Sequence, residues 1–199
     1  MVTPPKSFHL GRRPPPRAER ERTPPQLAGE PLQARDGSAL LLRPIHADDF
    51  AALQRGFRRL APDEIRMRFL HPLTELPEAF ARKLCDLDPR LAVAFVLIDP
   101  PPAHAPEIHA VARAHVDPVT LAAEFAVIVQ QHYTGQGFGR LLMQRVIAAC
   151  RALGATEMWG DVFVDNGAML ALCQSLGFER HLLEHEPGLM RVTLELSPT

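Results

Sequence analysis

The chain has 199 residues, 46% of them hydrophobic and 23% charged, with a formal net charge of −1. That length supports one domain with a full core, and the near-neutral balance argues against nucleic acid or an anionic membrane as a partner. No apolar run approaches the ~20 residues needed to cross a bilayer, and the N-terminus lacks the apolar centre of a signal peptide, so a cytoplasmic setting is expected.

Residues 1–36 hold eight prolines and seven basic side chains against four acids, a local charge of +3. Few apolar side chains are present to offset ordering entropy, so this stretch reads as a disordered Pro/Arg-rich tail ahead of a domain at 37–199. A strand at Ala39–Arg43 opens the domain. Phe50, Leu53, Phe57 and Leu60 trace a helical stripe over Asp48–Leu60. Pro62-Asp63-Glu64 starts a second helix, and Phe80, Leu84 and Leu87 share a face of a third, Pro77–Leu87. Strand-like runs follow at Leu91–Ile98, Ile108–Val116 and Ala122–Val129, separated by three prolines at 100–102 and by Asp117-Pro118.

A helix beginning around Gly139-Arg140 ends near Gly154, and Glu157–Val164 is a strand. Asn166 then caps a helix through Leu176 that stops at Gly177. Glu179–Glu184 and Leu189–Leu196 complete a hairpin. Helices inserted between strands imply a mixed α/β sheet in one domain. The three cysteines (Cys85, Cys150, Cys173) sit in apolar helical contexts and read as buried thiols; they are too scattered for a disulfide framework. The histidines show no metal-ligand spacing, and the pairs His104/His109 and His181/His185 read as solvated surface.

The segment Val127-Ile-Val-Gln-Gln-His-Tyr-Thr-Gly-Gln-Gly-Phe-Gly-Arg140 carries the clearest chemistry. An apolar strand runs through glycines at every second position into a helix. Glycine permits positive φ and close approach of a ligand to the main chain. The loop amides, added to the free N–H groups and positive dipole end of the helix, make a site for phosphate. A dinucleotide fingerprint would need glycine at position 140, where Arg140 stands.

With Glu124-Phe-Ala-Val-Ile-Val129, Thr134-Gly-Gln-Gly-Phe-Gly139 and Asn166 followed by Met169–Phe178, the chain resembles a GNAT-superfamily N-acetyltransferase from about Ala39 to Leu196. Phe57–Phe69 and Ala123–Val127 are similar to the acetyltransferase domain of bacterial Pat-type protein-lysine acetyltransferases. The resemblance implies a single-domain GNAT fold: a mixed, mostly antiparallel sheet with a splayed parallel strand pair and flanking helices. It implies acetyl-CoA as acyl donor, its pantetheine arm on Val127, Ile128 and Val129, and its pyrophosphate on Thr134, Gly135, Gln136, Gly137, Phe138, Gly139 and Arg140. Asn166 would hold the pantetheine arm, cap its helix, or do both.

Amide formation needs a neutral amine, whereas a lysine-like amine of pKa ~10.4 is charged at neutral pH, so a carboxylate base is expected. Glu124 is favoured, being an acid on an otherwise apolar strand; Asp161 is the second candidate, at a position where other members carry a glutamate. Ion pairing of Glu124 with an arginine such as Arg113, or simple solvent exposure, is the structural alternative. Cys173 stands where many members place tyrosine as proton donor to the departing CoA, which leaves the general acid unassigned. Arg66 and Arg68 belong to the acceptor-shaping region and read either as recognising an acidic substrate or as a solvated face. The expected activity is acetyl transfer to a primary amine, of a protein lysine or a small molecule, by direct attack in a ternary complex of a monomer or homodimer. A non-catalytic acyl-CoA-binding sensor is the alternative.

Overall fold

The run Ala92–Ile98 is apolar at every position, as expected of a strand covered on both faces. In the computed structural model, which describes residues 29–70, 73–101, 105–183 and 185–196, that run is a central strand of an eight-stranded sheet. The strands are β1 (Glu30–Gln33), β2 (Ala39–Pro44), β3 (Ala92–Ile98), β4 (Ile108–Val116), β5 (Ala122–Val129), β6 (Glu157–Phe163), β7 (Glu179–Leu182) and β8 (Leu189–Glu195). Their spatial order is β1-β2-β3-β4-β5-β6-β8-β7. Every pairing is antiparallel except β5 with β6.

Five helices flank the sheet: α1 (Phe50–Arg58), α2 (Pro62–Phe69), α3 (Glu78–Cys85), α4 (Phe138–Leu153) and α5 (Gly167–Ser175). One face of β3 and β4, including Val93, Phe95, Leu97, Ala110 and Ala112, packs with Leu142, Met143 and Val146 of α4. The opposite face, including Val96, Ile98 and Val111, packs with Ala52 of α1 and Cys85 of α3. The period-two alternation of the strands and the 3.6-residue stripe of the helices therefore meet in two clusters, one on each side of the sheet. Among the described residues, no helix is long and apolar enough to cross a membrane.

The stretch 30–36 corrects the expectation of a disordered tail extending to residue 36. Glu30–Gln33 pairs with β2 in the register Glu30↔Leu42 to Gln33↔Ala39, and Ala34 is buried. A short edge strand gains most of its order from main-chain pairing, so its side chains announce it poorly. Pro31 fits there because one edge of such a strand needs no donor. Residues 1–28 of that stretch lie outside the described residues, as does His104. His109 is also corrected: it is buried, its Nε2 lies 2.7 Å from Asp99 Oδ1, and its ring stacks on Tyr133.

Candidate active site

The parallel pair β5–β6 is joined over three positions only: Ala122↔Glu157, Ala123↔Met158 and Glu124↔Trp159. Beyond Glu124 the strands diverge, while β5 stays paired with β4 through Val129. Phe125 occupies the start of the gap, its ring buried at an edge-to-face contact with Phe178. Facing it on β6 is Gly160, where an added Cβ would lie 2.8 Å from the Phe125 ring. An aromatic ring thus fills the space a side chain at 160 would take, at the point where pairing stops.

The gap opens into a cleft of about 650 Å³. Val127, Ile128 and Val129 form one wall, with no strand beside them on that edge. The glycine loop forms one end: a short 3-10 turn at Gln131–Tyr133, then Gly135 at φ +68° and Gly137 at φ +91°. The first main-chain bond of α4 runs from Leu141 N–H to Gly137 C=O. The amides from Gly135 to Arg140 accordingly have no main-chain partner among the described residues, as the start of a helix requires. Ala168, Ala171, Leu172 and Ser175, spaced as one face of α5, form the far wall with Asn166 and Met169. Asp63, Glu64, Met67 and Arg68 of α2 cover it, and Glu64 Oε1 accepts a hydrogen bond from Gln131 N–H at 3.1 Å.

Of the residues expected to bind the cofactor, Val127, Ile128, Val129, Thr134, Gly135, Gly137, Gly139, Arg140 and Asn166 line this cleft. Gln136 and Phe138 do not. The Phe138 side chain is buried in the core, leaving only its amide for a ligand. The Gln136 amide accepts from Arg35 N–H at 2.9 Å and donates to His132 C=O at 3.0 Å. Arg35 also donates to Gly135 C=O at 2.6 Å, so the hairpin turn between β1 and β2 braces the loop from outside. Thr134 Oγ1 is used locally, donating to Gln131 C=O, and the Arg140 guanidinium reaches across to Ser175 Oγ at 2.7 Å. Asn166 caps α5, its Oδ1 accepting from Met169 N–H at 3.1 Å.

A second cavity of about 170 Å³ adjoins the cleft and contains Glu124, Asp161, Phe69, Leu70 and Gly160. Glu124 is exposed there, with no hydrogen bond or ion pair among the described residues, and Arg113 donates instead to Leu84 C=O. Asp161 is held bidentately by Arg191, at 2.8 Å and 2.7 Å, across the β6–β8 pair. Arg191 in turn stacks over Trp159, and its bonds to Asp161 push its guanidinium above the usual range. Both Asp161 oxygens are therefore occupied, and a substrate group could reach either one only by displacing Arg191. Cys173 is 1% exposed within the core, and burial pushes its thiol up to about 11. Arg66 pairs with Asp165 at 2.7 Å and covers Phe163.

Sequence reasoning placed Arg68 in an acceptor-shaping region but missed Asp63, Glu64 and Met67 of the α2 wall and most of the α5 wall. The α5 residues carried a usable signal, since 168, 171, 172 and 175 recur at helical spacing; the side chains of α2 carried none that separates cleft from solvent.

A sheet whose one parallel pair parts beside a loop of free amides defines an α/β cofactor-binding fold of the acyltransferase kind. A profile of the Acetyltransferase (GNAT) family matches residues 56–178, more than half of the chain, which therefore belongs to that family. An acetyltransferase of Pseudomonas aeruginosa is 29% identical over 143 residues, 72% of this chain and 76% of that protein. The GNAT domain of S. lividans PAT superposes with a TM-score of 0.72 at 21% identity, covering 84% of this chain and 97% of that domain. The spermidine N-acetyltransferase of Vibrio cholerae, crystallised with CoA and spermine, superposes with a TM-score of 0.62 at 19% identity, covering 80% of this chain and 96% of that one.

Proposed function

We propose that this protein binds acetyl-CoA along the open edge of β5 and transfers the acetyl group to a primary amine, with Glu124 as the general base. The observation that carries this reading is the limit of β5–β6 pairing at Glu124, which leaves the β5 edge open to Val129 and to a loop whose amides at 135–140 have no main-chain partner among the described residues. An amide-bearing pantetheine arm can add to the free strand edge through main-chain bonds, and a diphosphate suits the helix start. The thioester then lies toward the second cavity, where Glu124 is free to take a proton and Asp161 is held by Arg191. Direct attack in a ternary complex fits two cavities that share a wall. The acceptor is a small amine or a protein lysine; the bound spermine of the Vibrio relative supports the amine class.

Thermal unfolding with added acetyl-CoA tests the binding half. A ligand at 100 times its Kd adds about 2.7 kcal/mol to folded-state stability, roughly 5–10 °C for a chain of this size. Gly137→Glu, which places a charged side chain at a φ of +91° beside the diphosphate, should suppress that shift. An unchanged melting temperature at saturating acetyl-CoA would defeat the proposal. A non-catalytic acyl-CoA sensor is favoured by one observation, the core cysteine at position 173. Release of free CoA thiol with amine acceptors separates the two: a sensor binds and releases none.

A further inference from the structure

The acetyl-transfer reading leaves the departing thiolate without a partner, because Cys173 is turned into the core and faces neither cavity. The thioester has to sit where cofactor and acceptor meet. The cleft and the second cavity have five lining residues in common: Met67, Arg68, Val127, Asn166 and Met169. Only Arg68 is charged. Its guanidinium lies 4.8 Å from the centre of the Phe69 ring and has no hydrogen bond or ion pair among the described residues. Arg66, on the same helix, is by contrast engaged by Asp165.

Arg68 also borders a small apolar pocket of about 50 Å³ lined by Leu53, Phe57 and Leu60, so one side of it faces hydrocarbon rather than water. Its N–H donors meet no protein acceptor among the described residues and are not sealed from the cavities, so they are available to an anion. An anion that forms there during turnover would meet a charge already in place. The charged groups that act on Arg68 are Arg113 on β4 and Glu124 on β5, and the cavities it borders also hold Asp63 and Glu64 on α2, Asp161 on β6, Arg140 on α4 and His109 on β4. Burial, helped by Arg113, draws its guanidinium down to about 10, which leaves it cationic at neutral pH.

We propose that Arg68 is a catalytic residue that stabilises the negative charge developing on the thioester, first at the carbonyl oxygen and then at the CoA sulfur. The amine lone pair attacks the carbonyl carbon, forming the C–N bond as the C=O π pair moves onto oxygen. Glu124 takes one N–H proton. The pair on oxygen then returns, the C–S bond breaks, and sulfur leaves with its electrons as a thiolate beside Arg68, to be protonated from Glu124 or water. This inference rests on the acetyl-transfer reading, and its test has a readout that does not depend on turnover.

The ultraviolet absorbance of the CoA thiolate is titrated against pH, free and bound to the full chain, for wild type, Arg68→Lys and Arg68→Met. Bound CoA in wild type should ionise at least one pH unit below free CoA. Arg68→Met should return it to the free value or above, and Arg68→Lys should fall between. In turnover, kcat for Arg68→Met should fall ~10²–10³-fold, the range for losing one preorganised charge-stabilising group, with KM for acetyl-CoA held within about threefold. A bound thiol in wild type that ionises at or above the free value overturns the assignment, as does an unchanged value in Arg68→Met. The wild-type titration decides alone if Arg68→Met fails to fold. Absence of CoA binding overturns the acetyl-transfer reading and this inference together, whereas binding with an unperturbed thiol overturns only the role of Arg68.

Discussion

Glu124 and Asp161 line one cavity, and their partners differ. Asp161 is half of a bidentate pair with Arg191, whereas Glu124 is exposed and uncommitted. Glu124→Gln should therefore keep acetyl-CoA affinity and lower kcat by ~10²–10⁴, the usual worth of a positioned base. Asp161→Asn should act mainly on stability, since it removes a bidentate pair from a solvent-accessible Arg191; a loss of about 1 kcal/mol or less by denaturant unfolding is expected. If Asp161→Asn loses turnover while Glu124→Gln does not, the assignments are reversed. The cysteines offer a second check. Burial pushes Cys85 and Cys173 up to about 11 and Cys150 up to about 12. A pKa raised by two units lowers the thiolate fraction ~100-fold, so alkylation at pH 8 should spare all three in the native protein and label all three in denaturant. Mass spectrometry after mixing with acetyl-CoA should find no acetyl-cysteine; an adduct on Cys173 would restore a covalent route. Glu124 and the loop glycines were legible in the sequence because an acid on an apolar strand and glycines at alternate positions both break a local rule. Arg68 was not: on a helix with charges on several sides, only the coordinates separate a half-buried cation from a solvated one.

At the scale of elements, the gap between β5 and β6 is the feature on which the proposed binding depends, and a large ring faces a glycine where it starts. Phe125 and Gly160 meet where the ladder ends. A Cβ at 160 would press on the ring at 2.8 Å within a packed cluster, and crowding of this kind costs about 1–3 kcal/mol. Gly160→Val should lower stability by that amount and weaken acetyl-CoA binding together, because Phe125 must move toward the cofactor edge of β5. Calorimetric titration showing unchanged affinity in a destabilised Gly160→Val would mean that the gap is set elsewhere. Apart from β1, the strands and helices were readable from period-two and 3.6-residue patterns, and their expected bounds differ from the observed ones by a few residues. The divergence of β5 from β6 was expected from the family resemblance alone. Alternating hydrophobicity describes which face of a strand is buried and says nothing about its edges.

Across the whole molecule, the hairpin of the first described strand and the glycine loop are about 100 residues apart in sequence and adjacent in space. Arg35 binds both Gly135 C=O and the Gln136 side chain, and Asp36 faces His132 at 3.0 Å. Hydrogen bonds from Ser38 and His132 hold the Asp36 carboxyl down to about 2, so it stays anionic throughout the neutral range. On the far side of the hairpin, Glu30 pairs with Arg145 of α4 at 2.5 Å. The Arg35 and Asp36 contacts are exposed and individually weak, yet both converge on the loop proposed to hold the diphosphate, while the half-buried Glu30–Arg145 pair ties β1 to α4. The domain boundary expected at residue 37 cuts through this arrangement. A chain starting at Gly29 should bind acetyl-CoA as the full chain does, whereas one starting at Gly37 should bind several-fold more weakly and melt at a lower temperature. Arg35→Ala in the full chain should reproduce a few-fold loss of affinity with little change in melting temperature, because it removes the brace and leaves β1 paired with β2. Equal affinity for the Gly29 and Gly37 chains would show that the loop holds its shape unaided, and would confine the hairpin to covering the edge of the sheet.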